Sequence, residues 1–276
     1  MSELPFRFFD LRVLRAARLA PDFVRVTFGG ADLALLASGG RDQRFKLFLP
    51  QRGQDAPVMP DPSDPDWFTA WRALDPEVRG LMRTYTVAEL RHAGEPDGRP
   101  AELDVDFALH GDIGPASRWA QAARPGDRVT ILGAVEEDNG GIDFRPPPGT
   151  DSVLITGDAT ALPAVAGILA WLPPGLPAKV WIEIPHADDR RELPSRADTV
   201  VTWLIGGDAP PVLEAVRAAE LPGSTRYAWI AGESGTVKAL RRHLVSERGF
   251  DRKAITFTGY WKRGSSEDEL IAEVVA

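Results

Sequence analysis

The chain has 276 residues, a net charge of −8 and no cysteine. This length is enough for two modest domains, each with its own core. The acidic balance without a basic patch argues against a nucleic-acid partner. The absence of cysteine excludes disulfides, thiolate metal sites, cysteine-ligated iron–sulfur clusters and a cysteine nucleophile.

Neither the histidines nor the apolar runs indicate a metal site or a membrane segment. The four histidines are scattered without metal-ligand spacing, so we expect no protein-bound metal. No apolar run approaches the length of a bilayer span, and acidic residues come early in the N-terminal stretch. We therefore expect a cytoplasmic, monomeric protein with no secretory signal and no membrane partner.

The first half of the chain has the pattern of a closed antiparallel β-barrel. Short strand-like segments alternate with turn residues and are interrupted by one helical stretch. Between residues 50 and 81, a segment rich in proline and aspartate predicts an irregular surface excursion with a short helix at its far end. The predicted strands are residues 8–17, 23–28, 44–49, 83–87, 102–110, 128–132 and 142–144.

Three prolines, Pro146 to Pro148, mark the predicted domain boundary. After them, apolar strands alternate with helices, which is typical of a parallel sheet that is open to ligands at the carboxyl ends of its strands. The predicted strands are residues 153–156, 179–184, 200–205, 226–231 and 255–259, and the predicted helices are residues 162–172, 211–219 and 236–248, with a short helix in the tail 265–276.

The segment Arg83-Thr84-Tyr85-Thr86 is the first candidate for chemistry. On a strand, Arg83 and Tyr85 lie on one face and the two threonines on the other. Arginine suits a phosphate, a tyrosine ring suits a flat heterocycle, and a threonine hydroxyl can bond a ring nitrogen. An ordinary strand with an exposed arginine accounts for the same residues.

A second candidate, residues 110–120, has the sequence HGDIGPASRWA. A strand with alternating apolar residues leads into it, Gly114-Pro115 breaks that strand, and Ser117 lies where a helix would begin. Free backbone N–H groups at a helix start favour a phosphate. A capped helix after a tight turn is the alternative interpretation.

Three segments of the second half follow predicted strands. Residues 157–164, GDATALPA, occupy the first strand-to-helix turn, where dinucleotide phosphates commonly lie, although G-x-G-x-x-G is absent. Thr160 and Pro163 suit a helix start, so capping explains them as well as ligand binding does. Residues 229–233, WIAGE, form a similar junction. Residues 259–264, GYWKRG, contain two aromatic rings that could hold a flat ring and two cations that could face an anionic partner. A solvated loop is the alternative interpretation.

Together these segments resemble the siderophore-interacting proteins, which are bacterial ferric-siderophore reductases within the ferredoxin-reductase-like flavoproteins. The matching stretches span both halves of the chain. The resemblance implies an antiparallel β-barrel FAD-binding domain, residues 1–148, followed by an α/β parallel-sheet domain for a nicotinamide nucleotide, residues 149–276.

The resemblance also implies roles for individual residues. Arg83 would pair with an FAD phosphate, Tyr85 would pack on the isoalloxazine, and Thr86 would lie near its N5 atom. The remaining residues implied are Gly114, Ala116 and Ser117 at the FAD pyrophosphate, supported by His110 and Trp119; Gly157, Asp158, Thr160, Gly232 and Glu233 at the nicotinamide nucleotide; and Tyr260 and Trp261 near the flavin.

One region departs from the family pattern. Family members commonly carry another arginine shortly after the tyrosine–threonine pair, whereas Ala88 and Glu89 occupy that region here and Arg91 follows. The sequence does not decide whether Arg91 takes over the phosphate contact. Ala231-Gly232-Glu233 stands where plant-type ferredoxin reductases carry a cysteine-containing segment, which favours the siderophore branch.

The implied reaction passes electrons from NADH or NADPH through FAD to the Fe(III) of a siderophore, and it requires no general base or covalent nucleophile. Since many ferric siderophores are anionic, we expect cations at the substrate site and select Lys46, Lys262 and Arg263.

The choice of nicotinamide nucleotide is left open. Glu183 favours NADH because a carboxylate accepts a ribose hydroxyl and repels a 2′-phosphate. Asp188 and Asp189 favour the same nucleotide, whereas Arg190 and Arg191 favour NADPH.

Three other functions are compatible with parts of this pattern. The first is a general flavin or ferredoxin-type NAD(P)H reductase, with ferredoxin as an alternative donor. The second is a siderophore-binding iron-trafficking protein that holds no flavin. The third, a nucleotide-binding protein of unrelated activity, is least consistent because RTYT and GPAS fall outside a single βα unit.

Overall fold

The computed structural model describes residues 5–94, 98–109, 114–206 and 211–265. The chain forms two compact units, Met1–Ile142 and Asp143–Ala276. The sequence places the boundary slightly later, in the proline run. Within the described residues, no helix is both long and apolar enough to cross a membrane.

The first unit is built on an antiparallel sheet. Its strands and helices are β1 Phe6–Ala20, β2 Phe23–Gly29, β3 Arg44–Leu49, α1 Trp67–Ala73, β4 Leu81–Thr86, β5 Glu89–Arg91, β6 Glu102–Ala108, α2 Pro115–Ala122 and β7 Arg128–Ala134. The strand order is β4-β3-β7-β1-β2-β6-β5. Although four strands separate β4 from β6, the rings of Tyr85 and Phe107 on these strands lie 4.5 Å apart. The sheet is therefore curled into a half-barrel. This confirms the predicted antiparallel barrel-type fold, but the predicted closure is wrong, because β4 and β5 are the two edges of the sheet and do not pair with each other.

Alternation along the strands sends apolar side chains to the inside of this curl. On β6, Leu103, Val105 and Phe107 belong to the buried core. Asp104 and Asp106 point to the opposite face, where burial of a charge requires a partner. Arg25 on the adjacent β2 provides it, with Nε 2.7 Å from Asp106 Oδ1.

Arg91 belongs to the same outer face. Its guanidinium donates to Asp104 Oδ1 at 2.8 Å and to Glu102 Oε2 at 3.0 Å. Glu102 also accepts two hydrogen bonds from Arg15, at 2.9 and 2.6 Å. Arg91 is thus engaged by carboxylates on its own sheet, which argues against its replacing the missing family arginine at a phosphate.

The second unit is a parallel sheet with flanking helices. Its elements are β8 Ser152–Asp158, α3 Leu162–Trp171, β9 Pro177–Ile184, β10 Asp198–Ile205, α4 Val212–Ala218, β11 Arg226–Glu233, α5 Ser234–Ser246 and β12 Ile255–Trp261. The strand order β10-β9-β8-β11-β12 reverses direction between β8 and β11. In open α/β sheets, ligands bind at the carboxyl ends of the strands at such a switch point.

The predicted elements differ from the observed ones mainly at their ends. No strand forms at residues 142–144, so that prediction is wrong, and the short β5 was not predicted. β8, β11 and β12 each continue further than expected, to Asp158, Glu233 and Trp261. Of the predicted tail helix, only Ser265 lies within the described residues.

The outer ion pairs predict a loss of stability in acid. Hydrogen bonding from Arg15, and then from Arg91, lowers the pKa of Glu102 from 4.5 to about 2. A carboxylate with a depressed folded-state pKa stabilises the protein above its unfolded pKa, and this contribution is lost as the pH falls from 4.5 towards 2. We expect Glu102→Gln to lower the free energy of unfolding at neutral pH by about 1 kcal/mol and to flatten its acid dependence in urea titrations.

Glu89→Gln is the matched control, since Glu89 pairs with the same Arg91 but its side chain is 53% exposed, against 18% for Glu102. If Glu89→Gln lowered the free energy of unfolding as much as Glu102→Gln, the ion pairs of Glu102 would have no special contribution to stability.

Candidate functional site

The RTYT segment lies on β4 at one edge of the curled sheet. Arg83 is buried, with 8% of its surface exposed, and its Nη1 donates to the carbonyl of Met82 at 2.7 Å. Tyr85 packs against the core of the first unit. Thr86 ends the strand and is 7% exposed. The predicted exposed arginine on an ordinary strand is therefore not what the structure shows.

A row of aromatic rings connects β4 to α2. Tyr85 contacts Phe107 at 4.5 Å between ring centroids, and Phe107 contacts Trp119 at 5.9 Å. Trp119 in turn stacks on Phe28, with the ring planes 10° apart. The curl of the sheet therefore brings the RTYT strand and the GPAS helix together through Trp119 of α2, whose expected role at the FAD pyrophosphate stays a prediction.

The first turn of α2 has no side-chain cap among the described residues. Gly114 is the N-cap residue, and Pro115 occupies the start of the helix. Ser117 lies inside the helix, and its hydroxyl donates to the carbonyl of Ala108 at 3.4 Å. The helix therefore begins two residues earlier than the sequence predicted, at Pro115, and Ser117 lies in its first turn. Uncapped N–H groups at a helix start suit an anion. His110 lies outside the described residues.

A cavity of about 930 Å³ runs along α2 beside this turn. It is lined by Pro115, Trp119 and Leu81, the residue that begins β4. Three arginines, Arg52, Arg118 and Arg128, also line it. Sequence reasoning missed this cavity, because its walls come from three separated segments of the chain. The one local signal was the arginine that follows GPAS.

Lys46 lies apart from these residues. It pairs with Thr84 across β3 and β4, and its ammonium donates to the Thr84 hydroxyl at 2.8 Å. Thr84 points to the face opposite Arg83 and Tyr85. The structure therefore does not bring Lys46 to the face that carries Arg83 and Tyr85, and its substrate role stays a prediction.

The candidate residues of the second unit gather at the carboxyl edge of the sheet. Gly157 and Asp158 are the last residues of β8, and Gly232 and Glu233 are the last of β11. They lie on the strands themselves, not in the turns that the sequence predicted. Thr160 follows in a short 3-10 turn. These residues flank the switch point of the sheet.

Asp158 is the centre of this edge. Its Oδ1 accepts hydrogen bonds from the backbone N–H and the hydroxyl of Thr160. Its Oδ2 accepts the backbone N–H of Glu233 at 3.0 Å and the indole N–H of Trp261 at 2.7 Å. Asp158, and not Thr160 as the sequence suggested, therefore caps the turn that leads to α3.

Two glutamates border a second cavity of about 490 Å³. Burial raises the pKa of Glu183, whose Oε1 accepts the N–H of Val212 at 3.1 Å at the start of α4. Burial also acts on Glu233, but hydrogen bonds from the backbone of Thr236 and Arg263 lower its pKa overall. The cavity thus carries acidic groups at the position that the sequence linked to a ribose.

The segment after β12 carries the two predicted cations. Lys262 is half-buried and Arg263 is exposed. The N–H of Ser265 donates to the carbonyl of Lys262 at 3.2 Å and closes a turn. Tyr260 packs edge-on against Trp229, at 6.4 Å between ring centroids. Within the described part of the chain, no group of three histidine or acidic side chains could hold a metal ion.

Comparisons with known proteins agree on one family. Family models match the chain for the siderophore-interacting FAD-binding domain over residues 12–137 and for the siderophore-interacting protein over residues 150–264. An uncharacterized protein of Mycobacterium tuberculosis is 33% identical, covering 97% of this chain and 94% of that protein. The ferric vibriobactin reductase ViuB of Vibrio cholerae is 28% identical, covering 94% and 90%. Among solved structures, the siderophore-interacting protein SipS from Aeromonas hydrophila has a TM-score of 0.78 at 29% identity, covering 98% and 97%.

The position of Gly232 predicts a large cost for any side chain there. Its φ is +133°, and a Cβ would lie 2.6 Å from Asp158 Oδ2. We expect Gly232→Ala to lower the free energy of unfolding by about 2–3 kcal/mol in urea titrations. Gly249→Ala is the control, because Gly249 has φ +68° but open space around its Cβ. Gly249→Ala should lower the free energy of unfolding by only about 1 kcal/mol. An equal decrease in both variants would mean that the close approach to Asp158 does not add to the cost at Gly232.

Proposed function

The chain belongs to the siderophore-interacting protein family, and from this we propose that it is a flavin-dependent ferric-siderophore reductase. The observation that carries the proposal is the row of rings that runs from Tyr85, on the strand of the buried Arg83, through Phe107 to Trp119 on α2 in the first unit. Its relative ViuB is a ferric vibriobactin reductase, which supports the same reaction here.

The residues of the first unit fit FAD by their chemistry. Arg83 offers a guanidinium to a phosphate, and the backbone N–H groups of Ala116 and Ser117 would hold the pyrophosphate at the uncapped start of α2. Tyr85 would support the isoalloxazine, with the Thr86 hydroxyl near its N5 atom. The cavity along α2, with its arginines and Trp119, would accept the adenosine half.

When bound, FAD would supply the ability to accept two electrons together from a nicotinamide and to donate them one at a time to iron. One NAD(P)H supplies two electrons, so two Fe(III) ions are reduced to Fe(II) for each NAD(P)⁺ formed. Fe(II) leaves more readily because hard oxygen ligands hold it less tightly than Fe(III). The protein binds, orients and shields the reacting groups, and none of its side chains needs to act as a base or nucleophile.

We assign the nicotinamide nucleotide to the carboxyl edge of the second unit. Gly157, Thr160 and Gly232 lie at the switch point, where backbone can approach phosphates closely. Glu183 and Glu233 line the adjoining cavity. Their carboxylates suit ribose hydroxyls and repel a 2′-phosphate, so NADH is the proposed donor. Lys262 and Arg263 would attract an anionic ferric siderophore.

A spectrum tests the proposal directly. The purified protein with FAD should be yellow, NADH should bleach it anaerobically, and a ferric siderophore should restore the colour while Fe(II) appears. A protein that stays colourless with FAD would be a flavin-free siderophore binder. Faster turnover with ferredoxin or free flavin than with ferric siderophores would identify a general reductase.

The buried arginine makes a quantitative prediction for FAD binding. We expect Arg83→Ala to weaken FAD binding about tenfold or more, because a charge-assisted bond to a phosphate is lost. Quenching of flavin fluorescence during titration measures this affinity. Arg7→Ala is the control, since Arg7 is an exposed arginine of the same unit that pairs with Asp32 at 2.9 Å. Equal affinities for both variants would remove Arg83 from the FAD site.

Glu183 makes a prediction for the choice of donor. Glu183→Gln removes the charge but retains the Oε1 acceptor for the N–H of Val212. We expect the preference for NADH over NADPH, as a ratio of kcat/KM values, to fall about tenfold. Glu214→Gln, an exposed change on α4, is the control. A ratio that both variants leave unchanged would contradict a role for Glu183 in donor choice.

A further inference from the structure

A β-bulge at the end of β12 changes the direction in which its last aromatic residue, Trp261, points. Gly232 on β11 pairs with Gly259, but the next residue, Glu233, pairs with Trp261, so that Tyr260 is the extra residue. A bulge re-aims the side chains that follow it. The indole of Trp261 consequently reaches over β11 and donates to Asp158 Oδ2 on β8 at 2.7 Å.

This reach depends on the absence of side chains at two glycines. A Cβ on Gly232 would lie 2.6 Å from Asp158 Oδ2, and a Cβ on Gly259 would lie 2.3 Å from Ser234 Oγ. That Ser234 hydroxyl donates to the carbonyl of Trp261 at 2.9 Å. Each glycine therefore leaves room for one of the hydrogen bonds that hold Trp261.

The carboxylate of Asp158 has little capacity left for a ligand. A carboxylate has about four acceptor positions. Thr160 supplies two donors to Oδ1, and Glu233 and Trp261 supply one each to Oδ2. All four positions are thus used by this chain.

A further hydrogen bond holds the backbone of Arg263, two residues after Trp261. The side chain of Glu233, which caps α5 through the N–H of Thr236 at 2.9 Å, also accepts the N–H of Arg263 at 3.4 Å. Residues 261–263 are therefore tied to the carboxyl edge through the indole and carbonyl of Trp261 and the backbone of Arg263. Lys262 lies between these ties.

We propose that Asp158 is a positioning residue that fixes residues 261–263 against the sheet, so that Lys262 and Arg263 face an anionic ferric siderophore, and that it is not a ligand of the nicotinamide nucleotide. This inference rests on the proposed function for its substrate, but the tie itself is a property of the protein alone. It revises the role that the sequence resemblance implied for Asp158.

The test compares Asp158→Asn with Asp151→Asn. Asp151 lies before the same strand, at its other end, and its carboxylate accepts the N–H groups of Ser224 and Thr225 at 2.9 and 3.1 Å. Both changes replace an acceptor oxygen by an NH₂ group that faces N–H donors. Amide hydrogen exchange of the peptide that contains residues 261–263 should be about tenfold faster in Asp158→Asn and unchanged in Asp151→Asn.

Steady-state kinetics of the FAD-loaded enzyme form the second arm. We expect the KM for ferric enterobactin, an anionic complex, to rise about tenfold in Asp158→Asn, with the KM for NADH and the kcat unchanged. The KM for ferrioxamine B, a cationic complex, should not rise. Trp261→Phe, which removes the indole N–H donor together with part of the ring, should also raise the KM for ferric enterobactin, and Trp171→Phe, on α3, should not.

Two results would overturn the proposal. The first is unchanged exchange in both Asp158→Asn and Trp261→Phe. The second is a rise in the KM for NADH without a rise for ferric enterobactin, which would make Asp158 a nucleotide ligand. If the wild type reduces neither ferric complex, the proposed function fails and the substrate half of this inference fails with it, while the exchange data still decide whether Asp158 holds the segment.

Discussion

The contact between Tyr85 and Phe107 is the constraint on which the first unit depends. Their strands are far apart in the sheet order, so the rings meet only because the sheet curls. The same curl places Trp119, and with it the start of α2, beside the strand that carries Arg83. In a flat sheet, these groups would lie at distant positions and could not line one surface.

Much of the fold could be predicted from local patterns. Alternation of Leu103, Val105 and Phe107 predicted a strand with one buried face, and alternating strands and helices predicted the parallel sheet of the second unit. The structure and the family matches confirm both halves. These patterns are informative because burial of apolar surface largely decides where such strands form and which way they face.

The ends of strands and the partners of charged groups could not be predicted in this way. Gly157 and Gly232 look like turn residues locally, yet parallel pairing continues through them and keeps them in β8 and β11. From the sequence, Arg91 was a candidate phosphate ligand. In the structure, the register of β5 and β6 places it opposite Glu102 and within hydrogen-bonding distance of Asp104. Such ties join residues through three-dimensional pairing, which no short stretch of sequence encodes.

The outer strand β5 has a consequence for self-association. It is an edge strand of only three residues, and its two ends are charged, with Arg91 fixed to carboxylates of the neighbouring strand. Another molecule that approached this edge would meet only a short row of peptide groups with a charged side chain at each end. The ion pairs that stabilise the sheet therefore also oppose intermolecular strand addition, and with it fibril growth, along this edge.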